Sequence, residues 1–118
     1  MGANPPPLAM YITGLQLNSV LSIPLFWRDK IPAMVAAQSA LGTLSAEAHK
    51  MGGVHHTLST WDSRAAMLVY LRSPAHARAM PRFARISTGR VVGWEGTSKP
   101  SWDEALDRLK TQGREVYI

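Results

Sequence analysis

The chain contains no cysteine. That excludes disulfides, thiolate nucleophiles, iron–sulfur clusters and cysteine-ligated zinc. It also lacks any run of about 18 apolar residues, so no segment reads as a membrane span. Acidic residues are scarce, 8 against 13 lysines and arginines, and none occurs between Ser63 and Arg90. Arg64, Arg72, Arg78, Arg82, Arg85 and Arg90 all lie in that stretch. It reads first as a solvated helix face, because a net charge of +5 is modest beside dedicated nucleic-acid binders. The opening MGANPPPLAM has neither a basic start nor an apolar core. No secretory signal is therefore expected, and a cytoplasmic protein is. The G-x-S-x-G, P-loop, G-x-G-x-x-G and H-E-x-x-H motifs are missing, which leaves a nucleophilic hydrolase, a kinase or a zincin unsupported.

What is present suits one domain. The 118 residues are 46% hydrophobic, enough for a single core. Residues 1–8, with Pro5, Pro6 and Pro7, read as an extended arm, and residues 9–118 as the domain. Ala9 to Ser19 is rich in β-branched and aromatic residues and reads as a strand. Tyr11, Thr13, Leu15 and Leu17 share one of its faces; Met10, Ile12, Gly14 and Gln16 share the other. A helix follows between Ser22 and Gly42, with Phe26, Met34, Val35 and Leu41 in its apolar stripe and a kink or break expected at Pro32.

TLSAEAHKM and VHHTLSTW flank Gly52-Gly53 and predict a hairpin, since both glycines accept positive φ. DSRAAMLVYLRS predicts a helix with Ala65, Leu68, Val69 and Leu71 along it. Ser73 and Pro74 restart a helix that runs toward Gly89, interrupted at Pro81. RVVGWEG reads as a short strand weakened by Gly93. Ser101 and Glu104 stand in capping-box spacing before a final helix, and REVYI adds a short terminal strand. The order is α+β: a ferredoxin-like βαββαβ unit with an extra C-terminal helix. One sheet face carries helices, and a second subunit is the expected cover for the other, making a homodimer through the sheet face.

The hairpin decides where the chemistry lies. A two-residue turn sets His49 opposite His56 and Lys50 opposite His55. The adjacent His55 and His56 then point to opposite faces and cannot share a metal. His49 and His56 share a face with Glu47, which allows a two-histidine-one-carboxylate set or a general-base pair, although no metal is expected. The other face carries Ala46, Ala48, Thr57, Ser59 and Trp61. Its small side chains leave room for a ligand, with Trp61 as a pocket wall. His76 shares a helix face with Arg72 and Met80 and is a third candidate acid/base or an axial haem ligand. The βαββαβ order also builds the RNA-recognition motif, and MYITGL loosely matches its first strand. GVHHTLSTW lacks the stacking aromatics of its third strand, so no nucleic-acid partner is expected.

Gly53 to Met80, GVHHTLSTWDSRAAMLVYLRSPAHARAM, resembles the dimeric α+β barrel superfamily of the antibiotic-biosynthesis-monooxygenase type. Within it the chain is most similar to short bacterial spheroidene-monooxygenase-like proteins. The resemblance rests on the strand ending in Trp61-Asp62, the helix around Ala65-Ala66-Met67, then Ser73, His76 and Met80. It implies a homodimer with a pocket between sheet and helices in each subunit. It further implies monooxygenase-like chemistry on an aromatic or polyketide-like small molecule without a cofactor, the substrate anion itself activating oxygen. The catalytic candidates are His56, His49 and His76, and the pocket candidates Trp61, Tyr70, Ser59 and Thr57. A non-catalytic dimeric protein that binds a small molecule or haem is the alternative. Haem-degrading members carry a helix tryptophan and a following histidine. Tyr70 and Met80 stand at those positions, so that activity is not implied.

Overall fold

A computed structural model describes residues 7–115. The elements are β1 (Leu8–Leu17), α1 (Ile23–Ser39), β2 (Thr43–Met51), β3 (Val54–Trp61), α2 (Arg64–Leu71), α3 (Pro74–Ile86), β4 (Ser87–Gly96), α4 (Trp102–Gln112) and β5 (Arg114–Glu115). The sheet order is β2-β3-β1-β4-β5, antiparallel throughout. This is the ferredoxin-like α+β arrangement with α4 and the two-residue β5 added. Most of the proposed arm, including Pro5 and Pro6, lies outside the described residues, as do the last three residues of REVYI; Leu8 already belongs to β1.

Local chemistry sets the ends of the elements. Gly52 and Gly53 take φ of 58° and 79°, as a two-residue hairpin turn of this twist requires. The register they fix pairs His49 with His56 and Lys50 with His55, and an irregularity follows only at Thr43/Ser45. The Ser63, Ser73 and Ser101 hydroxyls accept from the backbone N–H of Ala66, His76 and Glu104 and so cap α2, α3 and α4. Ser22 makes no such bond. Instead Ser19 ends the strand region and caps a 3-10 turn over Val20–Ser22 that leads into α1.

Four expectations about the elements need correcting. Neither Pro32 nor Pro81 interrupts its helix. Each proline sits on the exposed side, and buried neighbours hold the helix beyond it: Ala33 and Ala37 after Pro32, Phe83 after Pro81. Of the expected stripe on α1, Phe26 is fully buried and Met34 half-buried, but Val35 and Leu41 are exposed. On α2 the buried residue is Met67, while Val69 faces solvent. Finally, β4 begins at Ser87 and not Arg90, because it pairs with β1 along ten residues, from Leu17↔Ser87 to Leu8↔Gly96.

Helices cover both sides of the sheet. On one side Leu15 packs with Phe26 of α1 and Ala79 and Phe83 of α3, and Ala9 and Trp61 pack with Met67 of α2. On the other side α4 lies across Ile12 and Leu58 through Ala105 and Leu109. Full burial of side chains such as Ile12 and Leu58 contributes about 1.5–3 kcal/mol each. The face expected to await a second subunit is thus partly occupied by the chain's own last helix. No described helix is long and apolar enough to cross a membrane.

Candidate active site

Two hollows flank the sheet, one on each side. The first lies beneath α1, α2 and α3, where β1 and β3 present Tyr11, Thr13, Thr57 and Ser59. It has a volume of about 50 Å³ and is walled mainly by alanines, Met34, Met80 and Phe83. Small residues on α1 and α3 (Ala33, Ala37, Ala79) let both helices approach the sheet while leaving this space between them.

Three helices add polar groups to those of the strands. Lys30 of α1 is 7% exposed, and its ammonium donates to Thr57 Oγ1. The neighbouring buried carboxylate, Asp29, is engaged by Arg82 at 2.8 Å and Arg28 at 3.4 Å. Among the described residues Lys30 therefore has no carboxylate partner, and desolvation lowers its pKa to about 8. Tyr70 of α2 donates its hydroxyl to the Ala33 carbonyl at 3.0 Å, and burial pushes its pKa up to about 12. Burial likewise raises Tyr11.

His76 of α3 stands with its ring against Tyr70, centroids 5.3 Å apart. Its Nδ1 is 3.0 Å from the Leu71 carbonyl. A carbonyl only accepts, so Nδ1 carries the proton and Nε2 keeps a free lone pair. Burial lowers the His76 pKa, the bond to Leu71 opposes that shift, and the Lys30 charge reinforces it. His76 is thus a neutral imidazole at pH 7, poised to accept a proton.

Trp61 is fully buried behind this cavity. Its Nε1 donates to Ser59 Oγ at 2.9 Å, and its ring stacks on Tyr70 with centroids 5.1 Å apart. It supports the cavity from behind the Ser59 and Tyr70 side chains.

The second hollow is an open groove of about 830 Å³ beside α4, lined by Gly14, His56, Leu109, Arg85, Arg90 and Lys110 among others. His56 lies across Gly14 of the paired strand; a β-carbon at Gly14 would meet its ring at 3.0 Å. Its Nδ1 points to the Thr13 carbonyl at 3.3 Å, and burial lowers its pKa. His49, though opposite His56, turns away and stacks on Trp102 of α4 with centroids 4.5 Å apart. Glu47 accepts from Lys99 and from Trp102 Nε1, and the Lys99 bond holds its carboxyl below the ordinary range. The three side chains that could have formed a metal set are thus each occupied. Among the described residues no group of three candidate metal ligands comes together.

The structure therefore gathers Thr57, Ser59, Tyr70 and His76 at one cavity, puts Trp61 behind it, and leaves His56 and His49 on the opposite face. Sequence reasoning missed Lys30 and Tyr11. The available signal was the α1 row Phe26, Lys30, Ala33, Ala37, whose spacing puts one aromatic, one lysine and two alanines on a single helix face.

The fold and this cavity define a small α+β pocket protein with helices over the site. No protein-family model matches the chain, and no curated protein matches it in sequence. Solved structures do match its fold. SnoaB, a cofactor-independent oxygenase from Streptomyces nogalater, aligns with a TM-score of 0.65 at 9% identity over 81% of this chain and 97% of its own. An antibiotic biosynthesis monooxygenase aligns with a TM-score of 0.64 at 14% identity over 77% of this chain and 99% of its own. Rv0793 from Mycobacterium tuberculosis aligns with a TM-score of 0.67 at 12% identity over 79% and 99%. At these identities the likeness is one of fold. This chain has the fold of antibiotic biosynthesis monooxygenases.

Proposed function

We propose that this protein is a small cytoplasmic monooxygenase-like enzyme, of the spheroidene-monooxygenase-like kind, acting without a cofactor on an aromatic or polyketide-like molecule. The observation that carries the reading is a neutral His76, its Nε2 lone pair free, lining the same sheet–helix cavity as a Lys30 ammonium that has no carboxylate partner among the described residues. An acidic phenol or enol entering the cavity loses its proton to His76 Nε2, and the Lys30 ammonium holds the resulting anion. The electron-rich anion reduces O₂ by one electron, and recombination of the pair forms a peroxide at carbon. Loss of water leaves a carbonyl, so that CH₂ plus O₂ becomes C=O plus H₂O. Tyr70 and Thr57 orient the substrate, Ser59 and Trp61 fix the wall, and Tyr70 stays protonated throughout. His56 and His49 have no part in this step because they face the other side of the sheet.

The fold likeness to a cofactor-independent oxygenase supports the reading. The size of the cavity constrains it. A dry cavity of about 150 Å³ accommodates benzene, so an aromatic substrate requires the Met34 and Met80 side chains to swing aside, as unbranched thioethers do readily. A haem against His76, the alternative reading, would require a far larger opening than an aromatic substrate does, because the space lined by His76 is about 50 Å³. The open groove beside α4 supports a homodimer through the sheet face, with a second copy extending the apolar surface of Leu106 and Leu109. Oxygen consumption tests the enzyme reading. Purified protein should consume O₂ with phenolic or hydroxyquinone substrates, and the His76→Gln variant should not. Equal rates for the two proteins would overturn it, as would no uptake across a broad panel.

A further inference from the structure

We infer that Lys30 is the nucleophile of a carbonyl-capturing site: its amine forms a covalent imine with a small, neutral carbonyl compound, preferentially a 1,3-dicarbonyl, inside the sheet–helix cavity. The inference uses the same cavity as the oxygenase reading but neither needs oxygen nor depends on that reading.

Four features meet at this lysine. First, Lys30 is buried and its charge is not answered. Asp29, the only carboxylate beside it in sequence, is committed to Arg82 and Arg28. Second, the groups facing it are neutral or cationic: Tyr11 from β1, Thr57 and His55 from β3, Tyr70 from α2 and His76 from α3. None stabilises an ammonium as a carboxylate would, and His55 and His76 are each held toward neutrality by burial with Lys30 nearby. Third, the remaining walls are apolar, so water is largely displaced from the amine and from any bound carbonyl. Fourth, a base with a free lone pair, His76 Nε2, lines the same small space.

Desolvation brings Lys30 to about 8. At pH 7 about a tenth of it is then the free amine, against about one part in a few thousand for an ordinary lysine.

The step balances without a co-reactant. The Nζ lone pair adds to the carbonyl carbon, the C=O π pair moves to oxygen, and a new C–N bond forms. His76 Nε2 takes one nitrogen proton and passes it to the alkoxide oxygen, giving the carbinolamine. It then takes the second nitrogen proton and passes it to the hydroxyl as the C–O bond breaks, so water leaves and the neutral imine remains. With a 1,3-dicarbonyl the α-carbon proton shifts to nitrogen and gives the conjugated enaminone. The site offers no second cation once Lys30 is consumed, which favours a neutral carbonyl compound over a keto acid.

The chain contains four lysines, and Lys50, Lys99 and Lys110 are all exposed. They act as internal controls. Under nitrogen at pH 7, pentane-2,4-dione should produce the near-ultraviolet enaminone band in the wild type. The band should be absent in Lys30→Arg and slowed about 100-fold or more in His76→Gln, the usual range for loss of a general base. In parallel, limiting propanal with cyanoborohydride and peptide mass mapping should put the alkyl group on Lys30 about tenfold ahead of the three exposed lysines, the free-amine advantage less the cost of access. The N-terminal amine maps separately.

A wild type without the band, or alkylation that follows exposure with Lys30 last, overturns the inference. Because mapping uses only the wild type, an unfolded variant does not rescue it. An oxygen electrode run with the same protein reads the oxygenase proposal independently, so either can fail alone.

Discussion

His76 and His56 lie on opposite sides of one sheet in superficially similar states. Each ring donates through Nδ1 to a carbonyl, of Leu71 and Thr13 respectively, and each is kept from protonation chiefly by burial. Their surroundings differ. His76 shares a cavity of about 50 Å³ with a lysine lacking a carboxylate partner and a protonated tyrosine. His56 borders an open groove of about 830 Å³ whose cations, Arg85, Arg90 and Lys110, stand around its rim. A neutral imidazole is common to both; only His76 shares its small cavity with a second reactive group. A paired function separates a catalytic candidate from a buried histidine, and the pKa direction alone does not.

The largest effect expected from this contrast is on turnover. His76→Gln should lower kcat by about 100- to 10,000-fold, the usual contribution of a positioned base, while His56→Gln leaves oxygen uptake within a factor of about two, well short of that range. Steady-state oxygen-electrode rates decide it, and comparable losses in the two variants would erase the distinction between the faces.

Next in size is the support behind the cavity. Trp61→Ala should cost about 3–5 kcal/mol, as for other fully buried aromatics, visible as a lowered thermal midpoint by circular dichroism. A cost under about 1 kcal/mol, the level of an ordinary point mutant, would mean that the Tyr70 side of the cavity holds itself up.

Lys30 comes third. Its folded pKa of about 8 lies below the unfolded value of 10.5, so between those pH values the unfolded chain binds more protons. Stability should therefore rise with pH from about 8 to about 10, by on the order of 3 kcal/mol at most. Above pH 10 the trend reverses, because unfolded Tyr70 ionises while the folded residue, at about 12, stays protonated. Urea titrations of wild type and Lys30→Met across this range test it: the rise should vanish in the variant and the fall should remain.

The smallest effect belongs to His49, exposed and stacked on Trp102. His49→Ala should change stability by about 1 kcal/mol or less and leave turnover unaltered. A loss of turnover would bring the α4 face back into the chemistry.

Much of this geometry can be read from local residue chemistry. Gly52-Gly53 permits a single hairpin register, so the pairing of His49 with His56 and the separation of His55 from His56 follow from alternation alone. The Ser73-Pro74 restart sets where His76 falls on its helix. Lys30 was hard to read for a physical reason, even with the Phe26, Lys30, Ala33, Ala37 row in view. On α1 the large apolar residues Trp27, Ile31 and Val35 are exposed, and Phe26 alone of the large ones is buried, in company with Asp29, Lys30, Ala33 and Ala37. A helix that hollows out a polar cavity turns small and charged residues inward, and apolar periodicity then marks the wrong face. The position of α4 was equally hidden. Its amphipathic pattern shows that one side is buried but carries no information about which sheet face will receive it.

β3 is the common wall of both hollows: Thr57 and Ser59 line the one beneath the helices, and His56 borders the other. A single codon inserted within this strand would exchange the two linings at a stroke, sending imidazole where hydroxyls belong. The same insertion at Gly52-Gly53, where a β-carbon on either residue would meet nothing within 4 Å, would lengthen a surface turn and leave both linings intact. Deep mutational scanning with insertions should therefore find β3 among the least permissive segments of the chain and its adjoining turn among the most permissive.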